Sequence, residues 1–239
     1  MNLCASPGFA ASTFPRVVLE AAQTVSGSGF FDAMTIRLHR GDLPDTFRPA
    51  PIVAIDTETL GLRPHRDRLC LVQLSNGDGT ADLVQIPAGA TAASAPNLVR
   101  LLADPAVVKL FHFGRFDIAV LQHTFGVTTA PVFCTKIASR LVRTYTDRHG
   151  LKDLVRELLG VDLSKQQQSS DWAAAELSDA QLSYAASDVL YLHGCKEKLE
   201  AMLVRDGRAA LAAECFAFLP TRAALDLAGW SEEDIFAHS

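Results

Sequence analysis

The chain has 239 residues, a formal net charge of -5 and a pI of about 5.8, with 49% apolar and 21% charged residues. That balance describes a globular chain long enough to bury a core without disulfides or structural metal. It excludes a membrane span, since no run of about 18 uncharged apolar residues exists, and a basic protein that coats long nucleic acid. The five cysteines, Cys4, Cys70, Cys134, Cys195 and Cys215, are odd in number and form no CxxC pair. A disulfide framework and a zinc ribbon are thereby disfavoured, and a reducing, cytoplasmic compartment is expected.

Residues 1–33 are rich in Ser, Gly, Ala and Thr and carry only Arg16, Glu20 and Asp32 as charges. They lack the basic start and apolar run of a secretory signal. Their composition predicts a disordered extension, with a short helix over residues 17–23 as the alternative. A single domain is expected over residues 34–239, with Met34 as a candidate start. Thr35-Ile36-Arg37-Leu38-His39 alternates like a half-buried strand. Pro51-Ile52-Val53-Ala54-Ile55 is too short for a helix and suits a central strand. Residues 69–75 predict a strand buried on most of both faces, and residues 80–86 its hairpin partner across Asn76-Gly77-Asp78-Gly79. Then follow a helix (97–103), a strand (107–112) and four helical patterns (115–124, 135–142, 151–159, 180–203). Ser231-Glu232-Glu233-Asp234 reads as a further helix start. The fold class is α/β, a mixed sheet with helices between and after its strands.

Three acidic patches stand out. In Ile55-Asp56-Thr57-Glu58, a period of two puts Asp56 and Glu58 on one face at the end of an apolar strand. Two neighbouring buried acids repel each other, and a divalent cation would relieve the cost. Oxygen-only ligands favour Mg²⁺ or Mn²⁺ over zinc. The plainer reading is a strand running into a polar loop with both acids solvated. In Phe111-His112-Phe113-Gly114-Arg115-Phe116-Asp117, Asp117 falls in the first helical turn, where it also complements the helix dipole. His112 reads as a core histidine or a substrate contact. In Tyr184-Ala185-Ala186-Ser187-Asp188, Tyr184 and Asp188 share a helix face, and the two alanines allow close approach to a sheet. The plainer reading is a core tyrosine beside a surface aspartate.

The order DxE, FHxxxFD and YxxxD resembles the DEDD superfamily of 3′→5′ exonucleases, in the tyrosine subtype to which ribonuclease D belongs. Leu151-Lys152-Asp153-Leu154, Ser170, Asp171 and Trp172 agree with that resemblance, and Ser183 stands where the histidine subtype would carry its base. The resemblance implies a ribonuclease H-like fold and two divalent cations held by Asp56, Glu58, Asp117 and Asp188. It implies that Tyr184 positions the attacking water. A tyrosine with a pKa near 10 is a poor base at neutral pH, so orientation by hydrogen bonding is its expected role.

Gly41-Asp42-Leu43-Pro44, the run Asp56-Thr57-Glu58-Thr59-Leu60-Gly61-Leu62, His65-Arg66-Asp67-Arg68-Leu69-Cys70 and Gly77-Asp78-Gly79-Thr80-Ala81-Asp82 resemble the nano-RNase C family more closely. That resemblance implies a diribonucleotidase, pGpG among its substrates, assembled as a homo-octamer without an added helical (HRDC) domain. It implies that Leu62 wedges between two bases. Residues 134–168 carry seven Lys and Arg against four acids, a net of +3 that leaves -8 on the remainder. This stripe suits a small anionic substrate or is an ordinary solvated helix face. Arg140, Arg143, Arg148 and Lys165 are candidates for a 5′ phosphate, and Thr57, His112 and Gln168 for other substrate contacts; Trp172 reads as core. Single-stranded DNA stays open as a substrate. A ribonuclease D-like enzyme trimming tRNA 3′ ends and a catalytically silent nucleic-acid-binding module are the competing functions.

Overall fold

The computed structural model describes residues 16–18, 35–164, 166, 167 and 169–238. The expectations for Lys165, Gln168 and Met34, and for most of the N-terminal extension, lie outside the described residues. The strands are β1 (Arg16–Val18), β2 (Thr35–Arg40), β3 (Ile52–Thr59), β4 (Leu69–Ser75), β5 (Thr80–Gln85), β6 (Val108–Phe111) and β7 (Val132–Cys134). The helices are α1 (Pro96–Ala103), α2 (Arg115–Phe125), α3 (Thr135–Val142), α4 (Leu151–Leu159), α5 (Asp179–Leu190), α6 (Leu192–Arg205) and α7 (Ala209–Leu225).

One sheet runs in the order β1-β2-β5-β4-β3-β6-β7. The β3-β4-β5 meander is antiparallel, while β1, β2 and β5, and likewise β3, β6 and β7, are mutually parallel. The mixed sheet expected from the pattern is present. Turn chemistry explains the β4-β5 hairpin: Gly77 and Gly79 take φ of 80° and 82°, where other residues are strained, and Asp78 caps Thr80 through both its backbone and its hydroxyl. All seven residues of β4 are buried, as a strand covered on both faces requires.

Four features depart from the sequence reading. Arg16–Val18 pairs with β2 as a strand, where the composition predicted a disordered extension with a helix from residue 17 as the alternative. The strand β7 was not expected; three residues hold too little periodicity to be read. The helical pattern over 180–203 divides at Tyr191. The break lets α5 lie on β3, β4 and β5 while α6 packs on α3 and α4. Finally, Ser231 and Glu232 form a bend and Glu233 and Asp234 run on as irregular chain, with no helix start. Gly229 at φ 110° ends the preceding helical turn, and Arg115 and Arg222 hold the carbonyls of Ser231 and Trp230 in place.

Candidate active site

The acidic residues converge where β3 outruns its parallel neighbour. β6 pairs with β3 only as far as Ala54 opposite Leu110. Beyond that point the β6 chain turns away through His112-Phe113-Gly114 into α2. The Asp56 and Glu58 end of β3 is therefore free of a strand on that side, and α2 delivers Asp117 to it. The turn is tight: Phe113 is a non-glycine residue at φ 67°, and a Cβ on Gly114 would sit 2.7 Å from the Phe111 Cβ. Only glycine fits at 114. Asp117 is buried, and its Oδ1 accepts a 2.7 Å hydrogen bond from the Thr57 hydroxyl.

From the other side α5 closes the site. A capping box of Ser178 and Gln181 starts it, and fully buried Ala185 and Ala186 let it lie against the sheet. Tyr184 and Asp188 are thereby brought to Asp56 and Glu58. Carboxylate oxygens of Asp56, Glu58 and Asp188 all lie within 4.8 Å of one another. Asp117 stands outside that trio but close enough for its charge to act on each member. The spacing of two on a strand and of four on a helix thus assembled the patches as the pattern implied.

Electrostatics bear out the strain of this arrangement. Burial, reinforced by Asp188 and Asp117, pushes Glu58 up to about 9. Burial pushes Asp117 and Asp188 up to about 7, with hydrogen bonding holding each back. Asp56 is raised well above the ordinary carboxylate range by burial and then by Asp117, Asp188 and Glu58. Four acids that resist ionisation together are a site built for positive charge. An all-oxygen donor set matches a hard divalent cation, and Asp56, Glu58 and Asp188 could hold one. Tyr184 is raised far above the usual phenol range by burial and by the Asp188, Glu58 and Asp56 charges. It remains a protonated donor at neutral pH.

The remaining candidate residues divide by exposure. Leu62 is 83% exposed, held out on a loop that Asp67 ties down by accepting from the Arg63 backbone and the Arg66 guanidinium. Thr57 is 7% exposed, with its hydroxyl turned to Asp117. Thr135 gives its hydroxyl proton to the Phe111 carbonyl, so His112 Nδ1 donates to the Thr135 oxygen at 2.9 Å. Burial lowers His112 to about 3, and it stays neutral. Arg140 and Arg148 are exposed. Arg143 departs from its expected role: its side chain is 0% exposed. Its guanidinium donates to Glu157, to Ser139 Oγ and to the Arg148 carbonyl. Trp172 is core, as expected, with its ring 6.1 Å from that of Tyr184. One feature at the mouth was missed. Phe113 is 46% exposed, with Lys136 Nζ 4.2 Å from its ring centroid; the sequence shows only an aromatic between His112 and Gly114, without its exposure.

A family profile described as 3′-5′ exonuclease matches residues 42–204. The NrnC of Brucella melitensis, solved bound to pGG, is 66% identical with a TM-score of 0.82, covering 86% of this chain and 100% of that one. Its Mg²⁺-bound form gives 65% identity and the same TM-score of 0.82. Ribonuclease D of Acidiphilium cryptum is 39% identical over 172 residues, 72% of this chain. The chain spans 43% of that relative's length. Escherichia coli RNase D shares the mixed sheet flanked by helices at 28% identity and a TM-score of 0.64, over 73% of this chain and 45% of that one.

Proposed function

Because the chain belongs to the 3′-5′ exonuclease family, we propose that it is an exoribonuclease that hydrolyses very short RNA, dinucleotides above all, to nucleoside 5′-monophosphates. The observation that carries this reading is the cluster of Asp56, Glu58 and Asp188 oxygens within 4.8 Å, with Asp117 and Tyr184 beside it. Similarity along the full length of a protein solved with pGG supports the dinucleotide preference.

In this reading Asp56, Glu58, Asp117 and Asp188 hold two divalent cations, Mg²⁺ or Mn²⁺. Bound there, the cations would neutralise the carboxylates, activate water and stabilise the charge leaving on the 3′ oxygen. Tyr184, protonated at neutral pH, orients the attacking water with its hydroxyl. Thr57 fixes the Asp117 carboxylate by donating to it. Leu62, projecting from its tied loop, separates the two bases. Arg140 and Arg148, exposed on the basic stripe, meet a terminal phosphate. Water adds to phosphorus, the bond from phosphorus to the 3′ oxygen breaks, and the 3′ nucleotide leaves with a 5′ phosphate.

Turnover on 5′-labelled RNAs of two, three, seven and twenty nucleotides tests the proposal. The expected outcome is a steep fall in kcat/KM beyond two. A flat or rising profile favours tRNA 3′-end trimming, and intact RNA in the presence of bound Mn²⁺ favours a silent binding module. A DNA dinucleotide in the same assay reports whether the 2′-hydroxyl matters. We extend the reading to a homo-octamer, which light scattering tests; a monomer at micromolar concentration refutes it.

A further inference from the structure

Gln73 lies in β4 directly across from Asp56 of β3, in antiparallel register. Residues so opposed project to the same face, with Cβ atoms about 4.5–5.5 Å apart. That is the face α5 covers, the one carrying Glu58 and receiving Tyr184 and Asp188. Gln73 is 0% exposed. Among the described residues neither its Oε1 nor its Nε2 has a hydrogen-bond partner.

A buried amide with both ends unmade bears its whole desolvation cost, and buried polar groups in folded proteins are nearly always paired. The surroundings offer no structural reason for it. Leu71, two residues back on the same face of β4, and Leu83 opposite it on β5 are apolar and buried. A size-matched apolar side chain would be more stable at this position. The polar side chain set opposite it on β3 is Asp56.

We propose that Gln73 is a positioning residue for the cation site. With a cation bound, its amide nitrogen, unpaired in this structure, would turn to donate to the Asp56 carboxylate and fix which of that group's oxygens faces the cation. Carboxylates that ligate metals are commonly held by such outer hydrogen bonds, and losing one costs about 10–100-fold in affinity or activity. The inference rests on the reading of Asp56 as a cation ligand.

Calorimetric titration of Mn²⁺ into wild type and Gln73→Met separates the two ideas. Met keeps the length of the side chain and removes its polar atoms. Expected are an equal or higher melting temperature in EDTA and a Kd for Mn²⁺ weakened about 10-fold. Gln73→Glu, which removes the donor and adds a charge, should lose at least as much. Wild type that takes up no Mn²⁺ sinks the cation reading itself. Wild type that binds, with Gln73→Met matching it, overturns only the positioning role. If Gln73→Met does not fold, a crystal structure of wild type grown with Mn²⁺ decides. An amide nitrogen about 3 Å from an Asp56 oxygen supports the inference, and one more than about 4 Å away refutes it.

Discussion

Asp56 and Glu58 oppose ionisation because each meets the field of Asp117 and Asp188 in a site where burial has removed the screening water. Replacing one of them therefore acts on stability and on chemistry with opposite signs. Asp56→Asn keeps the shape, removes one charge and removes a cation ligand. Cleavage should be lost almost completely. The melting temperature in EDTA at about pH 8 should rise, by about 2–4 °C for each kcal/mol of relieved repulsion in a chain of this size. A mutant as active as wild type in Mg²⁺ would remove Asp56 from the ligand set. Tyr184→Phe separates orientation from binding. The phenol touches the acids through space but is no ligand in the proposed scheme. Mn²⁺ affinity should be unchanged while kcat falls about 10²-fold, the usual weight of one positioned proton donor. Equal losses in both would make Tyr184 part of the cation cradle.

At the scale of elements, the basic stripe divides into struts and open charges. Arg143 joins the end of α3 to α4, bonding Glu157 across the connection and the Arg148 carbonyl within it. Truncation takes the Arg143 donor from that carbonyl, while Ser139 Oγ keeps His149 Nδ1. Arg143→Ala should destabilise by about 2 kcal/mol without changing kcat of the folded fraction. Arg148→Ala should leave the melting temperature in place and raise KM for a 5′-phosphorylated dinucleotide. Denaturant melts paired with steady-state kinetics check both, and a reversal of the two patterns would return Arg143 to the substrate. Neither role was legible in the sequence, because exposure of an arginine depends on which helix it faces. The bounds of α3 and α4, by contrast, were legible from their apolar spacing. The DxE and YxxxD pairs were legible for the same reason: period two and period four fix a shared face before any tertiary contact forms. The hydrogen bond from Thr57 to Asp117, the left-handed Phe113 and the division at Tyr191 arise only when separate elements meet. The unpaired Gln73 belongs with them: a lone polar residue in an apolar strand is visible, but its lack of a partner is not.

For the whole molecule, the formal charge of -5 counts four acids that the fold holds partly or wholly protonated. A carboxyl with a raised folded pKa keeps its proton more tightly in the folded chain than in the unfolded one. Its stabilising contribution is complete below the unfolded value of about 4 and is lost as the pH rises toward the folded value. Folded values of about 7 for Asp117 and Asp188 and about 9 for Glu58 place that loss from about pH 4 up to about 7 for the aspartates and on to about 9 for Glu58. His112, lowered to about 3, acts in the opposite sense. Its contribution is present above the unfolded value of about 6.5 and falls away in more acid solution. Lys109, buried on the carbonyls of Asp104, Val107 and Ala130 and lowered to about 8, adds an opposing rise only above that pH. In EDTA the four acids outweigh the single histidine, so the melting temperature should already fall from about pH 5 and go on falling to about pH 8. Saturating Mg²⁺ should raise it more at the alkaline end than at the acid end, because cations and protons compete for the same oxygens. Melting curves across that range, with EDTA and with Mg²⁺, measure the difference directly. An EDTA profile that is flat from pH 6 to 8, or a Mg²⁺ increment independent of pH, would mean that the acids are solvated and that no cation site had been built between β3, α2 and α5.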